Sequence, residues 1–196
     1  RHAAHRVADE GQVALGGGGL DDGVEVLAQL VDVVADPGAL AGPAVTALVG
    51  EMAKAAGARV AVGGNFGTPA LDLIAPGIEV YVLELSSFQL ETTSSPALCS
   101  GTVLNLSEDH MDRYATYADY GMAKQRIFAH CTLAVVNRDD AWSAPRGAFA
   151  GGMVTFGSGS SPTDFGIDTV DGLRTITHDG MPLLGTDDMR IKGTHN

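Results

Sequence analysis

The sequence predicts an α/β protein in which helices flank a mostly parallel sheet, with a small antiparallel β-hairpin region near the C-terminus. First, residues 80–83, 101–104 and 133–136 are apolar runs without alternation, which is typical of strands buried on both faces. Second, apolar residues recur at helical spacing between such runs, and alternating strands and helices favour a parallel sheet. Third, short strands with glycine- and aspartate-rich turns follow Asp139.

The first elements after residue 43 are a helix and a strand. Residues 45–56 carry apolar side chains at helical spacing and predict about three turns of amphipathic helix, which a glycine ends. Residues 59–62 predict a short strand, and the Gly-Gly-Asn-Phe-Gly run at 63–67 predicts a loop. Thr68 and Pro69 then predict the start of a helix with proline at its first position.

The second half of the chain continues with a helix and then changes to short strands. Residues 117–130 predict the helix that precedes the buried strand at 133–136. Asp171 and Gly172 form a dipeptide that is typical of hairpin turns. Short strands are predicted at 153–156, 165–170 and 173–177, with one more at 189–192, after which residues 193–196 look like the approach to a helix.

Composition and charge exclude several kinds of protein. The chain has 196 residues, of which 45% are hydrophobic and 18% charged, so it can form a sizeable core. Its formal net charge of −12 argues against nucleic acid and against an anionic membrane surface as partners. No stretch approaches the roughly 18 apolar residues of a membrane span, and no secretory signal is present. Cys99 and Cys131 lack the spacing of metal ligands. We predict that both are small buried side chains and that the protein works in a reducing cytoplasm.

Residues 1–43 differ in composition from residues 44–196. Only ten residue types occur in this Ala-, Gly- and Val-rich segment, and all ten can be encoded by codons that begin with G or C. One interpretation is an out-of-frame translation of GC-rich DNA that joins the true frame near Ala44. The alternative is a genuine low-complexity or disordered extension. The chain also starts at Arg1 rather than at Met, which is typical of a fragment.

Polar side chains follow two of the predicted buried strands. Glu84 comes directly after one strand, and Asn105 follows the next, with Glu108, Asp109 and His110 just beyond it. Open α/β sheets bind ligands at the carboxyl ends of their strands, and carboxylates there suit a hard cation such as Mg²⁺. The alternative that stays open is a solvated acidic loop with His110 at the surface.

Lys124 lies on the apolar face of its predicted helix, among Tyr117, Tyr120, Ile127 and Phe128. One interpretation is a snorkelling lysine, whose stem is buried and whose amine reaches water. The other is a desolvated amine, which in its uncharged form can act as a base, as a nucleophile or as an acceptor of CO₂. A carbamate formed in that way would turn the lysine into an oxygen ligand for a metal ion.

Two other segments could contact a ligand through polar groups. Residues 86–91 either hydrogen-bond a substrate or cap the next turn of the chain. The glycine-rich residues 63–67, with Asn65, offer backbone donors of the kind that hold an anion, although such a loop is weak evidence alone. The Walker A pattern G-x-x-x-x-G-K-[ST] does not occur in the sequence.

Two motifs are distinctive as a pair: Glu-Leu-Ser-Ser-Phe-Gln-Leu-Glu at 84–91 and Asn-Leu-Ser-Glu-Asp-His-Met-Asp-Arg-Tyr at 105–114. Together they resemble the ATP-dependent Mur ligases of peptidoglycan synthesis, and most of all the members that add D-glutamate. The same family is matched in order and spacing by residues 45–56, 63–71 and 124–127, and its Gly-x-His-Asn motif by 193–196. The resemblance covers residues 44–196, as an incomplete central ATPase domain of the P-loop type.

The resemblance implies a reaction, its substrates and its site residues. The carboxylate of UDP-N-acetylmuramoyl-L-alanine would attack the γ-phosphate of ATP, and the amine of D-glutamate would displace phosphate from the acyl phosphate, with two Mg²⁺ ions screening charge. The implied catalytic and metal-binding residues are Glu84, His110 and Lys124, the last as a carbamate. The implied substrate-binding residues are Asn65, Ser86 and Gln89, and the implied nucleotide-binding residue is Asn196. The enzyme would be bacterial and cytoplasmic, and would serve cell-wall synthesis, cell shape and cell division.

The sequence departs from the family at the phosphate-binding loop. The family's loop ends in Gly-Lys-Ser/Thr-Thr, but Gly42, Pro43 and Ala44 stand there, so the phosphate-binding lysine and the hydroxyl ligand for Mg²⁺ are absent. The family's flanking UDP-binding and C-terminal domains are not recognisable either. We therefore expect this chain to be inactive alone. The alternatives are a non-catalytic remnant that binds a UDP-sugar or a protein and, more remotely, a relative of folylpolyglutamate synthetase.

Overall fold

Four parallel strands form the main sheet. The structure, a computed structural model, describes residues 30–33, 41–93, 98–129 and 131–189. The sheet has the order β1-β4-β5-β6, and each neighbouring pair is parallel. Its strands are β1 (Leu30–Val33), β4 (Leu98–Asn105), β5 (Cys131–Asn137) and β6 (Gly152–Phe156). The predicted α/β class is therefore confirmed, and β1 is the described part of residues 1–43 that lies in the sheet.

A second parallel pair lies beside the β1 edge of this sheet. It consists of β2 (Val60–Gly64) and β3 (Val80–Glu84), paired in register so that Gly64 is opposite Glu84. Strand β3 contacts β1, and apolar side chains of β3 share one buried cluster with those of β4 and β5. The predicted strands at 59–62 and 80–83 are confirmed within a residue or two.

Helix α1 (Ala41–Ala55) packs against β1, β2 and β3. Its buried face includes Gly50, where an added Cβ would lie 2.4 Å from the Val62 Cγ2 atom, so only a residue without a side chain allows this approach. Gly57 follows the helix with φ 94°, the left-handed conformation that ends many helices. The helix was expected from residue 45, but it begins four residues earlier and so includes Gly42 and Pro43, because proline is tolerated in a first turn.

Two shorter helices connect the next strands. Helix α2 (Ser87–Thr92) follows β3 and was not predicted. Helix α3 (Tyr117–Gln125) begins at the predicted residue, and Thr116 caps it by accepting a hydrogen bond from the Asp119 N–H group. The α-helix ends earlier than predicted because the chain tightens into a 3₁₀ helix over Arg126–Phe128, and His130 lies outside the described residues.

The predicted helix start at Pro69 is partly wrong. The segment is one short 3₁₀ helix, Ala70–Leu73, and Pro69 precedes it at the N-cap with φ −54° and ψ 144°. The preceding loop turns back on β2, because the Gly64 N–H group donates to the Thr68 carbonyl oxygen at 2.8 Å. The helix is a single turn, and residues 74–79 lead from it to β3.

The C-terminal region contains a separate three-stranded antiparallel sheet. Its strands are β7 (Phe165–Val170), β8 (Leu173–His178) and β9 (Met181–Gly185), in that order. The hairpin at Asp171 and Gly172 is confirmed, since both have positive φ, 50° and 80°. The strand predicted at 153–156 belongs to the parallel sheet as β6. Met189 is not in a strand, and the rest of the strand predicted at 189–192 lies outside the described residues.

The core lies between β3, β4, β5 and the 3₁₀ helix that follows α3. Its fully buried members include Val103, Ile127 and Ala134. Cys131 belongs to the same cluster, as predicted, and burial raises the pKa of its thiol. Cys99 is only partly buried, so the prediction of two buried cysteines holds for Cys131 alone. Within the described ranges, no helix combines the length and the apolar character needed to cross a membrane.

Candidate functional site

Glu84 is the last residue of β3 and is almost completely buried, with 6% of its surface exposed. Its Oε1 atom accepts a hydrogen bond from the Asn65 side-chain amide at 3.4 Å. Its Oε2 atom is buried and has no hydrogen-bond partner in the described part of the chain. A buried carboxylate oxygen without a donor is costly, so this atom marks a place where a cation or another donor would be favourable.

Asn65 reaches Glu84 because the end of β2 passes very close to the end of β3. Its backbone N–H group donates to the Glu84 carbonyl oxygen at 2.7 Å. Gly64, just before it, has φ 117°, and an added Cβ there would lie 2.2 Å from the same carbonyl oxygen. The glycine is therefore required for the approach, which places Asn65 against the carboxylate.

Lys124 is buried, with 3% of its surface exposed, and its Nζ atom lies 5.2 Å from the centre of the Tyr120 ring. The snorkelling interpretation is therefore wrong, because the amine does not reach water. Burial raises the pKa of the Glu84 carboxyl, and the Asn65 hydrogen bond and then the Lys124 charge offset part of that rise. The direction of that last effect is the one expected for a carboxylate with a positive group in its neighbourhood.

Tyr120 connects Lys124 to His110. The Tyr120 side chain is completely buried, and its ring meets the His110 ring edge-on at 6.1 Å between centroids. The Tyr114 ring packs against the Tyr120 ring, with 5.1 Å between their centroids. The sequence indicated Tyr120 only as part of an apolar face, although its position four residues before Lys124 on a helix is a signal that could have found this contact.

His110 is half-exposed rather than fully solvated. Its ring packs on Phe88 at 4.8 Å, and its Nε2 atom lies 3.5 Å from an oxygen of Asp109. Glu108 and Asp109 are exposed, as the alternative of a solvated acidic loop expected for this stretch. Among the described residues, no group of three or more His, Cys, Asp or Glu side chains could hold a metal ion. A metal site at this edge therefore stays a prediction.

Ser86 and Gln89 form a capping box at the start of α2. The Ser86 Oγ atom accepts a hydrogen bond from the Gln89 N–H group, and the Gln89 Oε1 atom accepts one from the Ser86 N–H group at 2.8 Å. The capping role that the sequence left open is thus present. A contact of either side chain with a substrate stays a prediction.

The nucleotide-binding side of the predicted site is described only in part. Asn196 lies outside the described residues. Gly42, Pro43 and Ala44 form the first turn of α1, and no acidic side chain lies in that turn. The structure thus pairs Asn65 with Glu84 and links Lys124 to His110 through the Tyr120 ring. The first turn of α1 contains no charged residue.

Comparisons with known proteins give the family. The Mur ligase middle domain matches residues 44–175. A UDP-N-acetylmuramoylalanine--D-glutamate ligase of Vibrio atlanticus is 51% identical over 152 residues, or 78% of this chain and 34% of that protein. The ligase of the same name from Pseudomonas putida is 47% identical over 190 residues, or 94% of this chain and 42% of that protein. The chain thus spans well under half of these relatives, and the second match reaches into residues 1–43.

Solved structures show the same fold at low sequence identity. One is UDP-N-acetylmuramoyl-L-alanyl-D-glutamate--2,6-diaminopimelate ligase, with a TM-score of 0.62 and 21% identity over 83% of this chain and 39% of that one. Another is UDP-N-acetylmuramate:L-alanyl-gamma-D-glutamyl-meso-diaminopimelate ligase from Neisseria meningitides, with a TM-score of 0.59 and 15% identity over 89% of this chain and 59% of that one. This chain therefore belongs to the Mur ligases, and residues 44–175 are a middle domain of that family.

Proposed function

We propose that the chain is the central part of a ligase that joins D-glutamate to UDP-N-acetylmuramoyl-L-alanine at the expense of ATP, through an acyl phosphate. The observation that carries the proposal is the buried Glu84 carboxylate, whose Oε2 atom has no hydrogen-bond partner among the described residues. Lys124 is buried as well, and its charge acts on that carboxyl. The substrates are inferred from the names of the relatives that are 47–51% identical to this chain.

Glu84 and His110 would hold Mg²⁺. The Glu84 Oε2 atom fits that ion, because it is a buried carboxylate oxygen in need of a positive partner. Mg²⁺ is usually held by one or two carboxylates together with water and substrate phosphates, so a cage of three protein ligands is not needed. When bound, the ion would screen the charges of the phosphates and of the attacking carboxylate.

Lys124 would act as its carbamate. In that reaction the uncharged amine would attack CO₂, so that a C–N bond forms while one C=O π pair moves onto oxygen. The nitrogen would lose a proton to solvent, and the side chain would become an anion with oxygen ligands. The buried position supports this role, since Lys124 is only 3% exposed and its charge acts on the Glu84 carboxyl. Two neighbouring anions would then favour a divalent cation between them.

The other site residues would bind the substrates. Asn65, Ser86 and Gln89 would face the UDP-sugar, and Asn196 would contact the nucleotide. The assignment of Asn65 has the best support, because its side-chain amide donates a hydrogen bond to the Glu84 carboxylate and so lies at the site. Ser86 and Gln89 could serve a substrate only with the groups that the capping box leaves available, or by opening that cap.

A second candidate is a non-catalytic member of the family that still binds a UDP-sugar or a protein. It is favoured by Gly42, Pro43 and Ala44, which stand where the family has a phosphate-binding lysine and a hydroxyl group. Reading the coding DNA of residues 1–46 in every frame separates the two candidates. A frame that encodes a glycine-rich loop ending in Gly-Lys-Ser/Thr before Val45 favours the ligase, and its absence favours the remnant. Either protein would work in the bacterial cytoplasm.

A chimaeric enzyme tests the ligase directly. Residues 44–196 of this chain would replace the corresponding part of the 51% identical relative, which keeps its own residues on both sides. We expect ADP release that requires both UDP-N-acetylmuramoyl-L-alanine and D-glutamate from the chimaera, and none from the 196-residue chain. A folded chimaera that binds both substrates without releasing ADP would contradict the proposal, and ADP release by the short chain would contradict its inactivity.

A further inference from the structure

The turn that carries His110 is held by groups from helix α2. His110 has φ 54°, the left-handed conformation that is uncommon outside glycine. Its carbonyl oxygen accepts hydrogen bonds from the N–H groups of Arg113 and Tyr114, at 2.9 and 3.1 Å. These bonds make residues 110–114 one compact turn, so a displacement of Arg113 would also move the His110 backbone.

Arg113 contacts two side chains of α2 at once. Its guanidinium pairs with the Glu91 carboxylate, and its Cζ atom lies 4.7 Å from the centre of the Phe88 ring. Phe88 and Glu91 are three residues apart and thus lie on the same side of the helix. The hydrogen bond from Arg113 also lowers the pKa of Glu91, which shows that the pair is electrostatically favourable.

Phe88 serves both ends of the turn. The His110 ring lies 4.8 Å from the Phe88 ring, which is also the ring that Arg113 covers. The start of the loop is fastened separately, because the Leu106 N–H group donates to Asp140 and the Leu106 carbonyl accepts from the Tyr117 hydroxyl. The loop that carries His110 is therefore fixed at Leu106 on one side and at Arg113 on the other.

We propose that Arg113, held by Glu91 and Phe88, is a positioning residue that sets the place of the His110 ring beside Tyr120. The proposal deepens the proposed function and rests on it in one respect, namely that His110 is there to hold a cation. The Arg113 side chain is about half exposed, and exposed ion pairs contribute little to stability. A loss of Arg113 should thus move His110 without unfolding the chain.

The test uses the full 196-residue chain and the variant Arg113→Met, with Arg146→Met as the matched control. Arg146 also covers an aromatic ring, that of Trp142 at 3.9 Å, but it lies in a different loop. The readout without metal is an NMR measurement of the ring-current shift of the His110 imidazole protons. Their signals are identified as those that disappear in His110→Gln. We expect Arg113→Met to lose at least half of that shift and Arg146→Met to keep it.

A titration with Mn²⁺ adds the link to function. In the wild type we expect Mn²⁺ to broaden the His110 signals, and in Arg113→Met we expect that broadening to fall several-fold while Glu84-dependent Mn²⁺ binding remains. If the wild type shows no broadening, the metal role of His110 fails, but the ring-current shift still decides the positioning role. An unchanged shift in Arg113→Met overturns the proposal. Should that variant not fold, Glu91→Gln gives the same comparison with the guanidinium kept.

Discussion

Several buried side-chain oxygen atoms have no hydrogen-bond partner in the described part of the chain, and two of them occupy very different surroundings. One is the Oε2 atom of Glu84, at the end of β3, and the other is the Oγ1 atom of Thr46, in the second turn of α1. Glu84 accepts a hydrogen bond from the Asn65 amide, and its carboxyl is influenced by the buried Lys124. Thr46 follows a first turn that contains no acidic residue, and the only basic residue at the far end of α1 is Lys54.

The difference separates an atom whose neighbours suit a cation or a polar ligand from an atom that has no charged neighbour in the preceding turn. Glu84 and Lys124 bring groups of opposite charge into the interior. Such groups can stabilise an ion or a polar substrate, and burying them without such a ligand is costly. The turn that precedes Thr46 contains a glycine, a proline and an alanine. The carboxyl edge at β3 thus carries the charged side chains that the proposed function needs, and the described first turn of α1 carries none.

The largest effect is expected for Lys124→Ala in the chimaeric ligase. Because Lys124 would be a ligand-forming group at the reacting centre, we expect turnover to fall on the order of 100-fold or more, as for the loss of one electrostatic group. The measurement is ADP release with and without added bicarbonate.

The matched control is Lys54→Ala, which removes an exposed lysine paired with Glu51 on α1. This control should leave turnover unchanged. Equal turnover in Lys124→Ala and wild type, at either bicarbonate level, would remove the carbamate role and with it the contrast between the two regions.

The second effect is on stability and depends on pH. Burial raises the pKa of Glu84 from its ordinary value of 4.5, so its stabilising contribution is present at low pH and is lost as the pH rises through the folded-state value. We expect Glu84→Gln to raise the free energy of unfolding by about 1 kcal/mol at neutral pH and by nothing at pH 4.5 or below. Urea unfolding, followed by the fluorescence of Trp142, measures both.

Glu51→Gln is the control for this pH effect, since the Glu51 side chain is 70% exposed. It should change the free energy of unfolding by less than about 0.5 kcal/mol at either pH. If Glu84→Gln is less stable than the wild type at neutral pH, the carboxylate is already compensated in the folded chain, and its oxygen is no sign of a missing ligand.

Much of the fold could be predicted because a strand that is buried on both faces of a sheet gives a continuous apolar run in the sequence. The runs at 80–83 and 133–136 became β3 and β5 for that reason, and the Asp171-Gly172 turn was read from its conformational preference. Strand β9 was missed because Met181–Gly185 contains a proline and does not alternate. Helix α2 was missed although its Ser86-x-x-Gln89 pattern is a capping-box signal.

The site could be predicted only as a set of residues, because its geometry depends on contacts between distant elements. The position of Lys124 on an apolar face was compatible with a snorkelling amine or a buried one, and only its burial in the folded chain decides between them. The link from His110 to Phe88 depends on how a loop after β4 folds onto α2. No local periodicity contains that information.

The third effect concerns the cap that Ser86 gives to α2. Since the Ser86 hydroxyl accepts a hydrogen bond from the Gln89 N–H group, Ser86→Ala should lower the free energy of unfolding by about 1 kcal/mol, and Ser86→Gly by a few tenths. Urea unfolding measures the difference. If Ser86 also binds the UDP-sugar in the chimaera, both variants will raise the KM for that substrate; a raised KM in Ser86→Ala alone would point to the cap instead.

The smallest effect is expected at the other buried oxygen. Thr46 is 4% exposed, and valine has nearly its shape without the hydroxyl, so Thr46→Val should raise the free energy of unfolding by less than about 1 kcal/mol. Unlike the gain in Glu84→Gln, this gain should be the same at neutral and at acid pH, because no titrating group is removed. Urea unfolding at both pH values measures it. A loss of more than about 1 kcal/mol would mean that the Thr46 hydroxyl has a bound partner, and the start of α1 would then be a polar site like the end of β3.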